Sequence, residues 1–463
     1  MRRLPLLRAL CGSLCAAVTA CSVGPSYKRP DIAPPANWQA APAAAASVWP
    51  ETQWWHGFGS DQLDELIAEA ERSNDDLAGA IARVREADAQ ARIAGAPLLP
   101  AVQLTADASR QRAPVSGAGP QVYNTFSPAL AASYEIDFWG KNRALSAAAR
   151  AAAVASRYDR ETVALTVISS IASTYFQALE FKDRIDVATH NLASGRMILR
   201  GLKLEQSAGT ATGLDVAQQE TAVAQLDAAL PPLEQQFRQS VFALAILVGR
   251  TPESIDVTAG SLTGLSSPAL IAGLPSQLLT RRPDVAEAEQ QLIAANANIG
   301  AARAALFPSI ELTASGGYES ASLASLFDPV SRLYSLGAGL TQPIFEGGAL
   351  RGQVSYSEAR YTELLTAYHK TVLTAFGNVE SALVAARQTA EQLERQRAAV
   401  AQARRAYEFS RTQMSAGIVN VLTVLNTENS LFTAEDTLVQ VEYARLQALV
   451  DLFTALGGGW HLG

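Results

Sequence analysis

Two runs of strict alternation stand in the first half of the chain. Val102, Leu104, Ala106 and Ala108 alternate with Gln103, Thr105, Asp107 and Ser109, and Leu130, Ala132, Tyr134, Ile136 and Phe138 alternate with Ala131, Ser133, Glu135 and Asp137. Period-two alternation over about ten residues predicts a half-buried strand. It is also the pattern of an outer-membrane barrel strand, with one face in lipid and the other on water. Pro114, Gly117, Gly119 and Pro120 predict a loop over 112–124. The second half repeats the plan: Ile310, Leu312, Ala314 and Tyr318 line one strand, Leu336, Ala338, Leu340 and Ile344 another, with Asp328-Pro329 in the loop between them. The predicted strands are 101–111, 127–138, 309–319 and 333–345.

Helical periodicity fills most of the rest. Leu63, Leu66, Ile67, Ala70, Leu77, Ile81 and Val84 keep one face apolar from Asp61 to Gly95. A helix over 141–207 carries the stripe Val154, Tyr158, Leu165, Ile168, Ala172, Tyr175 and Leu179, and one over 348–415 steps through Tyr361, Tyr368, Val372, Phe376, Val379 and Leu383. At about 1.5 Å per residue, some 65 residues reach roughly 100 Å, which argues for a coiled-coil-like assembly. The aromatic members of these stripes read as helix packing. Shorter helices return over 214–248 and 422–456. Pro231-Pro232 predicts a kink or restart in the first of them.

The two halves are copies. Ser207-Ala208-Gly209, then Leu214 and Val216, recur 208 residues later as Ser415-Ala416-Gly417, then Leu422 and Val424. Leu99-Pro100-x-Val102-x-Leu104 recurs as Phe307-Pro308-x-Ile310-x-Leu312, and Phe138-Trp139-Gly140 is echoed by Phe345-Glu346-Gly347. Registration held over more than 100 residues marks a duplicated unit. Repeat one is 61–250, a linker covers 251–280, and repeat two is 281–458. Each repeat is a strand pair plus a helical hairpin. The Ser-Ala-Gly motifs are its turns, and Arg281-Arg282-Pro283-Asp284 starts a helix with Pro at the first helical position and Asp in the first turn. Residues 21–60, rich in Pro, Ala and Trp, read as an irregular segment that hugs the surface.

The first 20 residues are a targeting segment. Arg2, Arg3 and Arg8 accompany a short apolar core that ends in Val18-Thr19-Ala20-Cys21, as in a secretory signal. The ending resembles a bacterial lipobox. Cys21 would then become the first mature residue and carry diacylglycerol and an N-acyl chain, and Ser22, not being Asp, would direct it to the outer membrane. Cys11 and Cys15 leave with the signal, so no disulfide or Cys–metal site is expected.

Composition removes other classes. Charged residues are 17% and the formal charge is −7, or −10 once the three signal arginines are gone. No basic stripe exists to meet nucleic-acid phosphates. His56, His190, His369 and His461 are scattered, outside any metal-ligand spacing. There is no P-loop, HExxH or nucleophile elbow, so no enzyme, metal or cofactor is expected. Four strands cannot close a barrel, and unpaired edges cannot sit in lipid. Chains must therefore share one: two would give eight strands and three would give twelve.

The motifs Cys21-x-x-Gly24-Pro25-x-Tyr27-x-Arg29-Pro30, Arg281-Arg282-Pro283-Asp284-Val285, Ala294-Ala295-Asn296-Ala297-x-Ile299-Gly300-x-Ala302-Arg303 and Phe307-Pro308 resemble the NodT branch of the TolC-like outer membrane factors. The resemblance spans essentially the whole chain. It implies a mostly α fold with a β-barrel part: a trimer with a twelve-strand barrel continuous with a long periplasmic α-barrel. It implies the exit duct of a tripartite pump, with a periplasmic adaptor and an inner-membrane transporter of the resistance-nodulation-division class. It places adaptor docking and gating at the hairpin tips: Gly209, Thr210, Leu214, Asp215 and Val216 in the first, Gly417 and Ile418 in the second. By the same resemblance Leu422 narrows the aperture, and Asn426 stands where a relative carries an acidic gate residue. The competing readings are a protein-secretion outlet, a non-conducting coiled-coil lipoprotein, and an adaptor, which would have one hairpin rather than two.

Overall fold

The duplication reappears residue by residue in the helices. The computed structural model describes residues 23–39, 49–115, 119–257, 260–268 and 275–460; the signal segment, Cys21, Ser22 and His461 lie outside them. Helices α1 (Asp61–Ser73) and α2 (Asp75–Gly95) precede strands β1 (Ala101–Val115) and β2 (Gly119–Ile136). Then come α3 (Lys141–Ser207) and α4 (Gly213–Leu247). After the short α5 (Pro275–Leu278), the second copy runs α6 (Pro283–Ala304), β3 (Ser309–Tyr318), β4 (Arg332–Thr341), α7 (Ala349–Ser415) and α8 (Val421–Ala455). The long helices α3 and α7 both have 67 residues, and the returning helices α4 and α8 both have 35.

The described chain divides into two compact units. The first comprises residues up to Ile32, Ala82–Arg157 and Glu287–Lys370. Its centre is an antiparallel sheet in the order β1-β2-β3-β4. The turn into α3 is fixed by Asp137, which accepts from the backbone N–H groups of Asn142 (2.9 Å) and Arg143 (2.8 Å), a carboxylate at a helix N-terminus. Trp139 stacks on Phe307 at 4.6 Å and donates to the Pro308 carbonyl at 2.9 Å, joining a motif of one copy to a motif of the other.

The second unit comprises Ala33–Ile81, Tyr158–Ala286 and Thr371–Gly463. Its main core gathers Leu63 and Ile67 of α1, Ile171, Tyr175, Phe176 and Leu179 of α3, Leu244 of α4 and Phe453 of α8. Trp54, Trp55 and Phe58 belong to this core, and Trp54 stacks on Phe453 at 4.8 Å. This part of the N-terminal segment is therefore buried rather than surface-hugging. Large aromatic surfaces leave water most favourably where other rings meet them.

Three further expectations are corrected. The 112–124 loop is mostly ladder: β1 pairs with β2 as far as Val115↔Gly119, with Pro114 opposite Pro120. The helix from Asp61 to Gly95 is broken at Asn74, whose Oδ1 accepts from Leu77 N at 2.8 Å and whose Nδ2 donates to the Leu247 carbonyl at 2.7 Å. Pro231 and Pro232 do not restart the helix: both lie inside one continuous α4. Both are exposed, so the carbonyls they leave unpaired can bond water.

Candidate functional site

Two regions hold the segments singled out from the sequence: the sheet of the first unit and the hairpin tips of the second. In the sheet, register decides everything, because directly paired residues share a face. Leu104, Leu130, Gly316 and Tyr334 form one row across the four strands. Val102, Ala132, Ala314 and Leu336 form the next, followed by Tyr134, Leu312 and Ala338, then Ile136, Ile310 and Leu340. The opposite face reads Gln103, Ala131, Ser315 and Ser335, then Ala101, Ser133, Thr313 and Gly337, then Glu135, Glu311 and Gly339. The alternation of all four segments thus converges on a single apolar face. That face is no core within the chain: Leu104 is 74% exposed and Leu336 78%. A continuous exposed apolar surface of this kind marks contact with membrane or partner. β1 and β4 are the sheet's edge strands.

At the first tip, α3 ends at Ser207 and Gly209 takes φ +80°, the left-handed turn that glycine adopts without strain. The Gly209 N–H donates to the Gln206 carbonyl at 3.0 Å and the Thr210 N–H to that of Glu205 at 2.9 Å. Thr212 and Asp215 form a capping box that opens α4: Asp215 N donates to Thr212 Oγ1 at 3.2 Å, and Thr212 N donates to Asp215 Oδ2 at 2.9 Å. These bonds from Thr212 hold the Asp215 carboxyl below its ordinary range. At the second tip Gly417 has φ +73°, Ile418 N donates to the Gln413 carbonyl at 2.8 Å, and Asn420 caps α8 by accepting from Thr423 N at 3.2 Å.

A small apolar cluster joins the two tips: Leu202 and Val216 from the first and Val421 from the second are buried, with Met414 and Leu425 packed against them. Of the residues singled out from the sequence, Val216 belongs to this cluster, while Leu214, Ile418 and Leu422 leave their side chains exposed. Gly209, Thr210 and Gly417 are exposed in the turns. Asn426, also exposed, lines a pocket with Glu428.

Arg282 explains its motif. Its guanidinium pairs with Asp284 (3.0 and 2.7 Å) and donates through Nη1 to the Ala455 carbonyl at 3.0 Å, at the last turn of α8. Pro283 is the first residue of α6. Arg281 lies over the Trp49 ring at 4.5 Å.

Sequence reasoning missed Glu428 and Gln219. Both are buried, and the Gln219 amide bonds Glu428 and donates to the Gly195 carbonyl at 3.0 Å. The available signal was a carboxylate inside the apolar stripe of α8, four residues beyond Val424 and three before Leu431.

The outer membrane efflux protein family model matches residues 66–250 and 274–458, two segments offset by 208 residues at both ends. The pyoverdine export outer membrane protein OpmQ of Pseudomonas putida is 42% identical over 451 residues, covering 96% of this chain and 95% of that one. The cation efflux system protein CusC of Escherichia coli is 32% identical over 451 residues, covering 96% and 97%. Among solved structures, the outer-membrane channel OprN superposes with a TM-score of 0.90 at 26% identity, covering 95% of this chain and all of that one. The chain is a member of the outer membrane efflux protein family and has the TolC-like fold.

Proposed function

We propose that this protein is the outer-membrane exit duct of a tripartite efflux pump, passing small molecules delivered through a periplasmic adaptor by an inner-membrane transporter of the resistance-nodulation-division class. The observation that carries this reading is the single apolar face of the four-strand sheet, with polar residues behind it. Such a sheet suits lipid on one side and water on the other. Its open edges, β1 and β4, would leave backbone groups unpaired in hydrocarbon at several kcal/mol each. Joining to the sheets of other chains removes that cost, and three chains make twelve strands, enough for a lumen. The homotrimer is therefore part of the proposal.

Lipid on Cys21 supplements this anchor. Cys21→Ala would abolish acylation yet leave the protein in the outer membrane; a variant found wholly soluble in the periplasm would contradict a spanning sheet. The tips are assigned to docking and gating, where exposed Leu214, Ile418 and Leu422 flank turns that need glycine. Asn426 in place of an acid makes the gate uncharged at that position. The duct performs no chemistry, so direction comes from the transporter, and so does cargo: one relative is named for pyoverdine and another for cations.

Deletion of the gene followed by a broad susceptibility panel, together with co-purification of the adaptor, tests the assignment. Heightened susceptibility and a captured adaptor are expected. An unchanged panel with no adaptor retained would count against it.

A further inference from the structure

The second unit holds a pocket of about 290 Å³ between α3, α4 and α8. Asn191, Gln225, Asn426 and Asn429 bring side-chain amides to it, and Leu425 and Phe432 supply an apolar wall. Among the described residues, Glu428 is its one charged lining group. Glu428 is only 5% exposed, and its Oε1 has no hydrogen-bond partner. Gln219 Oε1, equally buried, also lacks a donor. Burial pushes the Glu428 carboxyl up to about 7, opposed by the Gln219 hydrogen bond and by the charge of Arg411. Tyr407, on α7 with Arg411, is the other titratable group that interacts with it. The residues that α3 and α4 present to it, Asn191 and Gln219, carry no charge.

The chemistry of an occupant follows. A buried carboxylate with an unpaired oxygen is costly unless a donor of opposite charge meets it, and the charge of Arg411 offsets only part of the burial here. An anion is repelled, and a neutral alcohol offsets no charge. A hard metal ion wants several charged oxygens at close range, and here there is one carboxylate in a space many times an ion's size. An ammonium group brings three donors and no acceptor, and an attached hydrocarbon suits the Leu425–Phe432 wall. The volume is near the lower end for small-molecule sites. We propose that this pocket binds a small organic cation, an alkylammonium whose head group meets the Glu428 carboxylate and whose hydrocarbon lies along Leu425 and Phe432. The site stands apart from whether the protein conducts.

The test is calorimetric titration of the full-length protein in non-ionic detergent at pH 8 with hexylammonium chloride, alongside hexanol and calcium chloride. One hexylammonium per chain should bind, hexanol should not, and Glu428→Gln should weaken binding at least about tenfold, the equivalent of 1.4 kcal/mol. If that variant does not assemble, the native protein at pH 5.5 serves the same purpose. Protonation of Glu428 should then weaken hexylammonium about tenfold. Absence of millimolar binding by the native protein, equal affinity with and without the ionised carboxylate, or a preference for calcium would each overturn the assignment.

Discussion

Gly24 lies against Gly300: a Cβ on Gly24 would stand 2.7 Å from the Gly300 Cα, and one on Gly300 would stand 3.3 Å from the Gly24 Cα. Around this crossing, Asn296 Nδ2 donates to the Pro25 carbonyl at 2.9 Å, and Arg29 pairs with Glu289 at 2.9 Å. Tyr27 donates to Glu289 at 3.4 Å, and burial, then that carboxylate, pushes its phenol up. Two motifs that look independent in the sequence, the one after Cys21 and the one around Gly300, are therefore each other's binding partners.

Gly24→Val should lift this segment off α6, because the added atoms meet backbone rather than a flexible side chain. Overpacking of this kind costs about 1–3 kcal/mol. Limited proteolysis should cut the variant's N-terminal segment faster while the helices stay resistant. An unchanged cleavage pattern would count against the packing.

The sheet register makes a paired prediction. Leu336→Arg puts a charge on the apolar face, at about 2–4 kcal/mol near mid-membrane. Ser335→Arg puts it on the other. Outer-membrane fractionation should show the first depleted and the second retained. Equal loss would break the assignment of faces.

Glu428 gives stability a pH dependence. Its carboxyl is raised in the folded state, so between the ordinary glutamate value of 4.5 and about 7 the folded chain holds a proton that the unfolded chain has lost. Stability from this group is thus present below that window and falls as pH rises through it. Glu428→Gln should melt close to the native protein at pH 5 and above it at pH 8. Parallel melting curves across that range would refute the sign.

Thr212→Ala removes the Oγ1 acceptor that caps the Asp215 N–H and leaves the bond from the residue 212 N–H to the Asp215 carboxylate in place, at a cost of about 1 kcal/mol. Hydrogen exchange should accelerate in the first turn of α4 and not in α8, and Thr212→Ser should restore protection.

Much of this was legible because alternation and helical stripes report burial directly. The Ser-Ala-Gly turns and the start of α6 at Pro283 follow from local chemistry. What escaped was set by distant partners. Asn74 ends α1 because the Leu247 carbonyl waits for its amide, which no local period records. Trp54 and Phe58 are core because Phe453 and Phe176, far along the chain, meet their rings. Pro231 and Pro232 do not break α4, since Val241 and Leu244 anchor one end in the main core and Val216 the other in the tip cluster. Glu428 was hidden because a single glutamate in a long helix reads as a solvated face until three other helices surround it.

Single-channel recording of the purified, inserted protein in planar bilayers addresses the central claim most directly. A duct predicts discrete conductance steps that grow when the Gly417 turn is opened by a bulky charge. Intact, inserted oligomers that pass no current in either form would contradict it.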